Sequence, residues 1–164
     1  MPLKDSLLPE FDHEMAVTRR VLERIPEDAF AWRPHEKSFS LGGLATHLAQ
    51  LPHWGTQILE REFYDVSTST RAAEKQSRVE VLEAFDRHVA EVRRALDERS
   101  EAELAAPWQL KKGSHTILSM PRIGALRSFM LHHVIHHRGQ MTVYLRLQGV
   151  AIPPIYGATA DEGL

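Results

Sequence analysis

Four of the ten histidines in this chain of 164 residues fall within the stretch HHVIHHRGQ, residues 132–140. Imidazole nitrogens bind transition metals and exchange protons near neutral pH. His133 and His137 are four residues apart, so on a helix they lie one turn apart on the same face. This is the spacing that two ligands of one metal ion need. The stretch therefore predicts part of a metal site.

A third histidine occupies a core position of an earlier predicted helix. His47 lies three residues after Leu44 and four before Leu51. This is a position of the apolar seam at which a leucine would be expected. A facing helix with His47 would complete three nitrogen donors with His133 and His137. Three protein ligands leave a coordination position open, as in catalytic rather than closed structural zinc sites. Imidazole also suits nickel, copper and iron, so histidine alone does not fix the metal.

Other interpretations of these histidines stay open. His132 and His136 are also four residues apart and form an alternative ligand pair; otherwise they are surface groups or hydrogen-bond partners. A single histidine in a helix seam can also be a hydrogen-bonded core residue with no ligand role. Asp12 and Glu14 lie near the seam of the first predicted helix. They are the two carboxylates of this helix that could reach the metal pocket.

The sequence contains no evident general base beside the predicted ligands. Gln140 lies one turn beyond His137, and an amide cannot act as a base near neutral pH. Gln140 therefore either orients water or substrate or is a buried amide bonded to a neighbouring helix. Trp54 and Met130 are predicted to wall the site. Arg138 is predicted on the opposite face, holding the tail or a loop.

Three stretches resemble the DinB-like superfamily, also called the YfiT/DinB family: LGGLATHLAQLPHW around His47, HVIHHRGQMTVYLRLQGV from His133, and the tail IPPIYGATADE. The resemblance spans essentially the whole chain. It implies a four-helix bundle of up-down-down-up type and a divalent metal, usually zinc or nickel, held by His47, His133 and His137. It also implies a homodimer. Known activities of the family include thiol-dependent S-transfer, maleylpyruvate isomerisation and metal-dependent hydrolysis, and many members have no assigned activity.

Two reactions fit a three-histidine site with an open position. Zinc lowers the pKa of bound water toward about 7, which supports hydrolysis. Alternatively, a thiol binds as thiolate and attacks an electrophile; the chain has no cysteine, so the thiol must be a small molecule such as bacillithiol, mycothiol or glutathione. The resemblance favours thiol transfer to a small electrophile. A metal-dependent hydrolase and a non-catalytic stress-response metal-binding protein are the alternatives.

Four amphipathic helices are predicted to position these residues. Apolar spacings of three and four residues predict helices over about 3–25, 41–64, 70–96 and 121–148. Ser40 is the predicted N-cap of the second helix. These seams favour an all-α fold, a single four-helix bundle domain over residues 1–164.

The segments between the predicted helices are long for a simple bundle. Residues 26–39 and 97–120 are long enough to cross over an end of it. Residues 114–120, SHTILSM, are a candidate extended piece. Residues 150–164 are rich in proline and glycine and predict an irregular C-terminal tail.

Composition excludes several classes of function. The net charge of −2 lacks the basic excess that nucleic-acid binding needs. No apolar run approaches the roughly 18 to 20 residues of a membrane span, and the N-terminus does not resemble a signal peptide. We therefore expect a cytoplasmic protein that acts on a small-molecule substrate.

Overall fold

The computed structural model describes residues 3–70 and 72–163, and most of them are helical. The helices are α1 (Leu3–Leu22), α2 (Leu41–Glu60), α3 (Arg78–Asp97), the short α4 (Glu101–Ala105) and α5 (Arg122–Ala125), and α6 (His132–Leu147). A π-helical segment, Leu126–Leu131, joins α5 to α6, so the chain is helical without a break from Arg122 to Leu147.

Each long helix packs chiefly against two others, in the cyclic order α1, α3, α2, α6. Helices α1 and α2 follow each other in the chain but lie diagonally, which explains the long segment between them. The long helices enclose an apolar core, in which Phe11, Leu44, Phe85 and Val134, one from each long helix, are buried. The up-down-down-up order of the helices stays a prediction. None of the described helices is long and apolar enough to cross a bilayer.

The prediction of an all-α fold holds in part: the described residues are mostly helical, but they also include a small sheet. Its strands β1 (Phe63–Asp65), β2 (Pro107–Lys112) and β3 (His115–Pro121) lie in that order. Strand β1 runs parallel to β2, and β2 pairs antiparallel with β3. Gly113, at φ +59°, supplies the left-handed residue that the tight β2–β3 turn needs. The predicted extended piece at 114–120 is confirmed within β3, whereas β1 and β2 were not predicted.

Capping groups set the helix starts. Helix α2 begins where predicted, and the Ser40 hydroxyl accepts a 3.0 Å hydrogen bond from the backbone N–H of Gly43. Helix α3 begins at Arg78, eight residues later than predicted, because Ser77 caps it. Helix α1 ends at Leu22, three residues before the predicted end.

A buried ion pair connects α6, α1 and the irregular tail. Arg138, 1% exposed, lies 2.6 Å from a carboxylate oxygen of Glu14 and donates a 2.6 Å hydrogen bond to the hydroxyl of Tyr156. The prediction that Arg138 holds the tail is confirmed, but its side chain points into the interior against α1. Asp12 pairs with Arg93 on the surface. Neither Asp12 nor Glu14 therefore reaches the predicted metal pocket.

Candidate metal centre

The three predicted histidines meet at one point between α2 and α6. Nε2 of His133 lies 3.3 Å from Nε2 of His47 and 2.9 Å from Nε2 of His137. Two nitrogens bound at about 2.0–2.1 Å to one tetrahedral zinc ion would be about 3.3 Å apart. The donor set and its spacing therefore fit a divalent ion such as zinc.

Local helix geometry aims the two α6 rings at this point. His133 and His137 are one turn apart at the start of α6, directly after the π-helical segment. The ring of His133 forms a hydrogen bond with the backbone of Phe129, which lies inside that segment. Short π-helical segments recur at functional sites because their wider turn changes the direction of the side chains and carbonyls that follow.

Gln140 fixes the tautomer of His137. Its amide oxygen lies 2.7 Å from Nδ1 of His137. An amide oxygen can only accept, so Nδ1 carries the hydrogen and Nε2 keeps its lone pair for a metal ion. Gln140 is exposed and bonds within its own helix, so the alternative of a buried amide bonded to a neighbouring helix is wrong. Its role in orienting water or substrate stays a prediction.

The electrostatics of the cluster favour neutral imidazoles. Burial lowers the pKa of His133, and the hydrogen bond with the Phe129 backbone opposes this shift only in part. Burial also lowers the pKa of His137, against the opposing effect of Gln140. Because a metal ion competes with a proton for the same lone pair, lowered pKa values keep these rings available near neutral pH.

The alternative pair His132 and His136 faces solvent. Both side chains are exposed, and neither joins a ligand cluster with other residues in the part of the chain that the structure describes. Nε2 of His136 lies 3.2 Å from the amide nitrogen of Gln140. His136 therefore contacts the residue that holds His137 but does not join the three converging nitrogens.

The buried face of α6 is displaced from the face that carries His133 and His137. Its fully buried positions are Val134, Arg138, Met141 and Leu145. His137 is buried at the border of this face and His133 is half-buried. The histidine cluster thus lies at the edge of the core, where it can be reached from a pocket.

That pocket has a volume of about 680 Å³ and is bounded by α2 and the segment after it. His47 lies in its wall, and the ring of Phe39 stacks on His47 at a centroid distance of 5.7 Å. Trp54 lines the pocket as predicted and packs against Tyr64 at 4.7 Å. Met130, by contrast, is buried in the core.

Several pocket residues were not predicted from the sequence. Phe39 precedes α2, and Tyr64 lies in β1 because α2 ends at Glu60, four residues before its predicted end. Gln50, Gln57 and Arg61 line the pocket on or just after α2. The sequence signal that could have marked them is the polar side of α2, which carries His47 and, three and ten residues beyond it, the amide side chains of Gln50 and Gln57.

The fold of the chain is shared with solved structures. A DinB-like protein from Bacillus cereus ATCC 10987 matches with a TM-score of 0.72 and 19% identity, covering 93% of this chain and 97% of that one. A DinB-like protein from Bacillus subtilis, YjoA, also matches with a TM-score of 0.72, at 20% identity, covering 92% and 96% of the two chains. At such low identity these likenesses concern the fold alone.

Two sequence comparisons concern a single relative and a family profile. The uncharacterized protein YrdA of Bacillus subtilis strain 168 is 49% identical over 39 residues, which are 24% of this chain and 23% of that protein. The profile of the DinB family matches residues 1–163, nearly the full length of this chain. The chain therefore belongs to the DinB family.

Proposed function

We propose that the protein is a metal-dependent enzyme that transfers a low-molecular-weight thiol to a small electrophile. The observation that carries this proposal is the meeting of three imidazole nitrogens beside a pocket of small-molecule size. Zinc is the expected ion and nickel the second candidate. When bound by three protein ligands, such an ion supplies a Lewis-acid centre that favours the deprotonated form of a thiol.

The residues of the chain have separate tasks in this scheme. His47, His133 and His137 would hold the ion, and Gln140 keeps the His137 ring in the required tautomer. Phe39 covers the ring of His47 and limits the access of water from that side. These groups set the position at which sulfur and electrophile meet. Such positioning lowers the activation barrier more than any single contact with the substrate does.

The pocket suits a small thiol and its electrophile. Its volume falls within the range of about 300–1,000 Å³ that is typical of small-molecule sites. Trp54 and Tyr64 offer an aromatic wall, Gln50 and Gln57 offer amides, and Arg61 offers a cation for a carboxylate. A thiol of peptide or amino-sugar type carries groups that match each of these.

The reaction needs no protein sulfur. The chain has no cysteine, so the sulfur is supplied by the cofactor thiol. The thiol gives its proton to solvent, a sulfur–carbon bond forms at the electrophilic carbon, and the leaving group departs with its bonding electron pair. The chain contributes binding, orientation and exclusion of water.

The decisive experiment is a metal assay followed by a thiol screen. The protein is purified without nickel affinity, its metal content is measured, and glutathione, bacillithiol and mycothiol are each tested with chloro-aromatic electrophiles. Thiol-dependent product that disappears with chelator and in H133A supports the proposal. Metal-dependent hydrolysis of activated esters without thiol would instead favour the hydrolase alternative. Bound metal with neither activity would favour a non-catalytic stress-response role.

Assembly and location complete the proposal. We propose a homodimer in the cytoplasm. Val143 and Leu147, one turn apart on α6, expose 57% and 59% of their surface and offer an apolar contact for a second copy. Light scattering after gel filtration tests the dimer, with L147E as the variant expected to weaken it.

A further inference from the structure

A second cluster of possible ligands lies between α2 and α3. His53 is six residues beyond His47 on α2, so it points about 240° around the helix from it, toward α3. On α3, His88 and Glu91 are three residues apart and share one face. One ring nitrogen of each histidine and one carboxylate oxygen of Glu91 lie within 4.8 Å of one another.

The hydrogen bonds of His88 prepare its ring for a metal ion. Nδ1 lies 2.8 Å from the backbone carbonyl oxygen of Ala49, which can only accept, so Nδ1 carries the hydrogen. Nε2 lies 3.4 Å from a guanidinium nitrogen of Arg87, which can only donate. Both contacts leave the lone pair on Nε2, and a carbonyl partner on the opposite nitrogen is the usual support of a metal-binding histidine. Arg87 is exposed and can swing aside.

His53 has a ring nitrogen that lacks a partner. Its Nδ1 is buried and forms no hydrogen bond with any described residue, which is unusual for a buried polar atom. Nε2 lies 3.3 Å from the side-chain nitrogen of Gln57. A turn of that amide by 180° places its oxygen at Nε2, so that Nε2 donates and Nδ1 keeps the lone pair.

We infer that His53, His88 and Glu91 form a second binding site for a divalent transition-metal ion. Two imidazoles and one carboxylate are the ligand set of several catalytic zinc sites. The carboxylate supplies a negative charge that the His47 cluster lacks. His53 and Gln57 line the same pocket as His47, so the second ion would lie in the wall of the pocket that holds the substrate.

The second site goes beyond the proposed function, which needs only the first. Full-length protein is stripped with chelator and dialysed against Zn²⁺ of known concentration, and bound zinc is counted per chain. We expect two ions in the wild type and one in E91Q, H88Q and H47A. The matched control H115Q removes an exposed histidine of β3 and should keep two ions.

Each result decides the question. One ion in both the wild type and E91Q would overturn the second site, and so would two ions in both, since the second ion would then lie elsewhere. Because H88Q also loses the contact with Ala49, E91Q is the principal variant, and the unfolding temperature of its metal-free form checks that it folds. Independent support would come from Co²⁺ added in place of Zn²⁺. The visible absorption that the second equivalent of Co²⁺ gives in the wild type should be lost in E91Q.

Discussion

The substitution Q140A removes the amide oxygen that accepts the 2.7 Å hydrogen bond from Nδ1 of His137. The ring then loses the partner that fixes its tautomer and orientation, so zinc affinity should fall. Loss of such a partner typically weakens metal binding about 10- to 100-fold, which is about 1.4 to 2.7 kcal/mol. Because Gln140 is exposed and water can take the place of its oxygen, we expect a value near the lower end, about tenfold.

A chelator competition measures this effect directly. Metal-free protein competes with a chromophoric chelator for Zn²⁺ at fixed pH and ionic strength, which gives the Kd of each variant. Q140E keeps an acceptor oxygen and adds a negative charge, so its affinity should equal or exceed that of the wild type. Q148A makes the same truncation at the C-terminal end of α6 and should leave the Kd unchanged.

Three results would refute the reasoning. A Kd of Q140A within about twofold of the wild type would show that the hydrogen bond does not support the ring, since the expected loss is at least about tenfold. An equal loss in Q140A and Q148A would assign the effect to the helix as a whole. If Q140E binds as weakly as Q140A, the acceptor at this position is not what matters.

Three further predictions concern ligands, the interior and pH. H133A should lose the zinc of the His47 cluster and its stabilising effect, whereas H132A should keep both; metal analysis and thermal unfolding compare them. E14Q leaves a buried arginine without its counter-charge and should lower the free energy of unfolding in urea by about 3–5 kcal/mol. The backbone N–H and the hydroxyl of Ser100, the N-cap of α4, donate hydrogen bonds to the carboxylate of Glu103 and lower its pKa from 4.5 to about 2. That carboxylate therefore contributes stability above about pH 4.5 that is lost as the pH falls toward 2, and E103Q should flatten this part of the acid-unfolding curve.

The convergence of the three predicted histidines could be predicted from the sequence because their placement depends on local rules. A spacing of four residues puts His133 and His137 on one helix face in any fold that keeps the helix. His47 interrupts an apolar seam, and a polar residue at such a position needs a partner. These two facts required only that α2 and α6 face each other, which they do.

The sheet and the pocket wall could not be predicted in the same way. Strand β1 has only three residues, and in β2 the apolar and polar residues alternate only from Trp108 to Lys111, next to a proline and a second lysine, which is too short a pattern to predict a strand. Both are strands because they pair with each other across 45 intervening positions, as the register of Phe63 with Gln109 shows. Pairing of that kind is set by tertiary contacts rather than by local propensity.

The buried face of α6 differs from the predicted one for a related reason. A helical wheel ranks positions by residue type, and Arg138 therefore appears as a surface residue. Its charge is buried because Glu14, which lies 124 positions earlier, neutralises it inside the interior. A wheel drawn on one helix cannot include a partner on another helix, so the true buried face was shifted away from the predicted one.

The consecutive residues of the HRGQ motif therefore act in different directions. His137 aims Nε2 at His133, Arg138 turns inward to Glu14 and the tail, and Gln140 holds the opposite nitrogen of His137. The ion pair fixes the rotation of α6 against α1, and that rotation decides where both histidine rings point. A substitution at Arg138 should thus disturb the candidate metal centre through the helix that carries it, even though Arg138 contacts none of the three converging nitrogens.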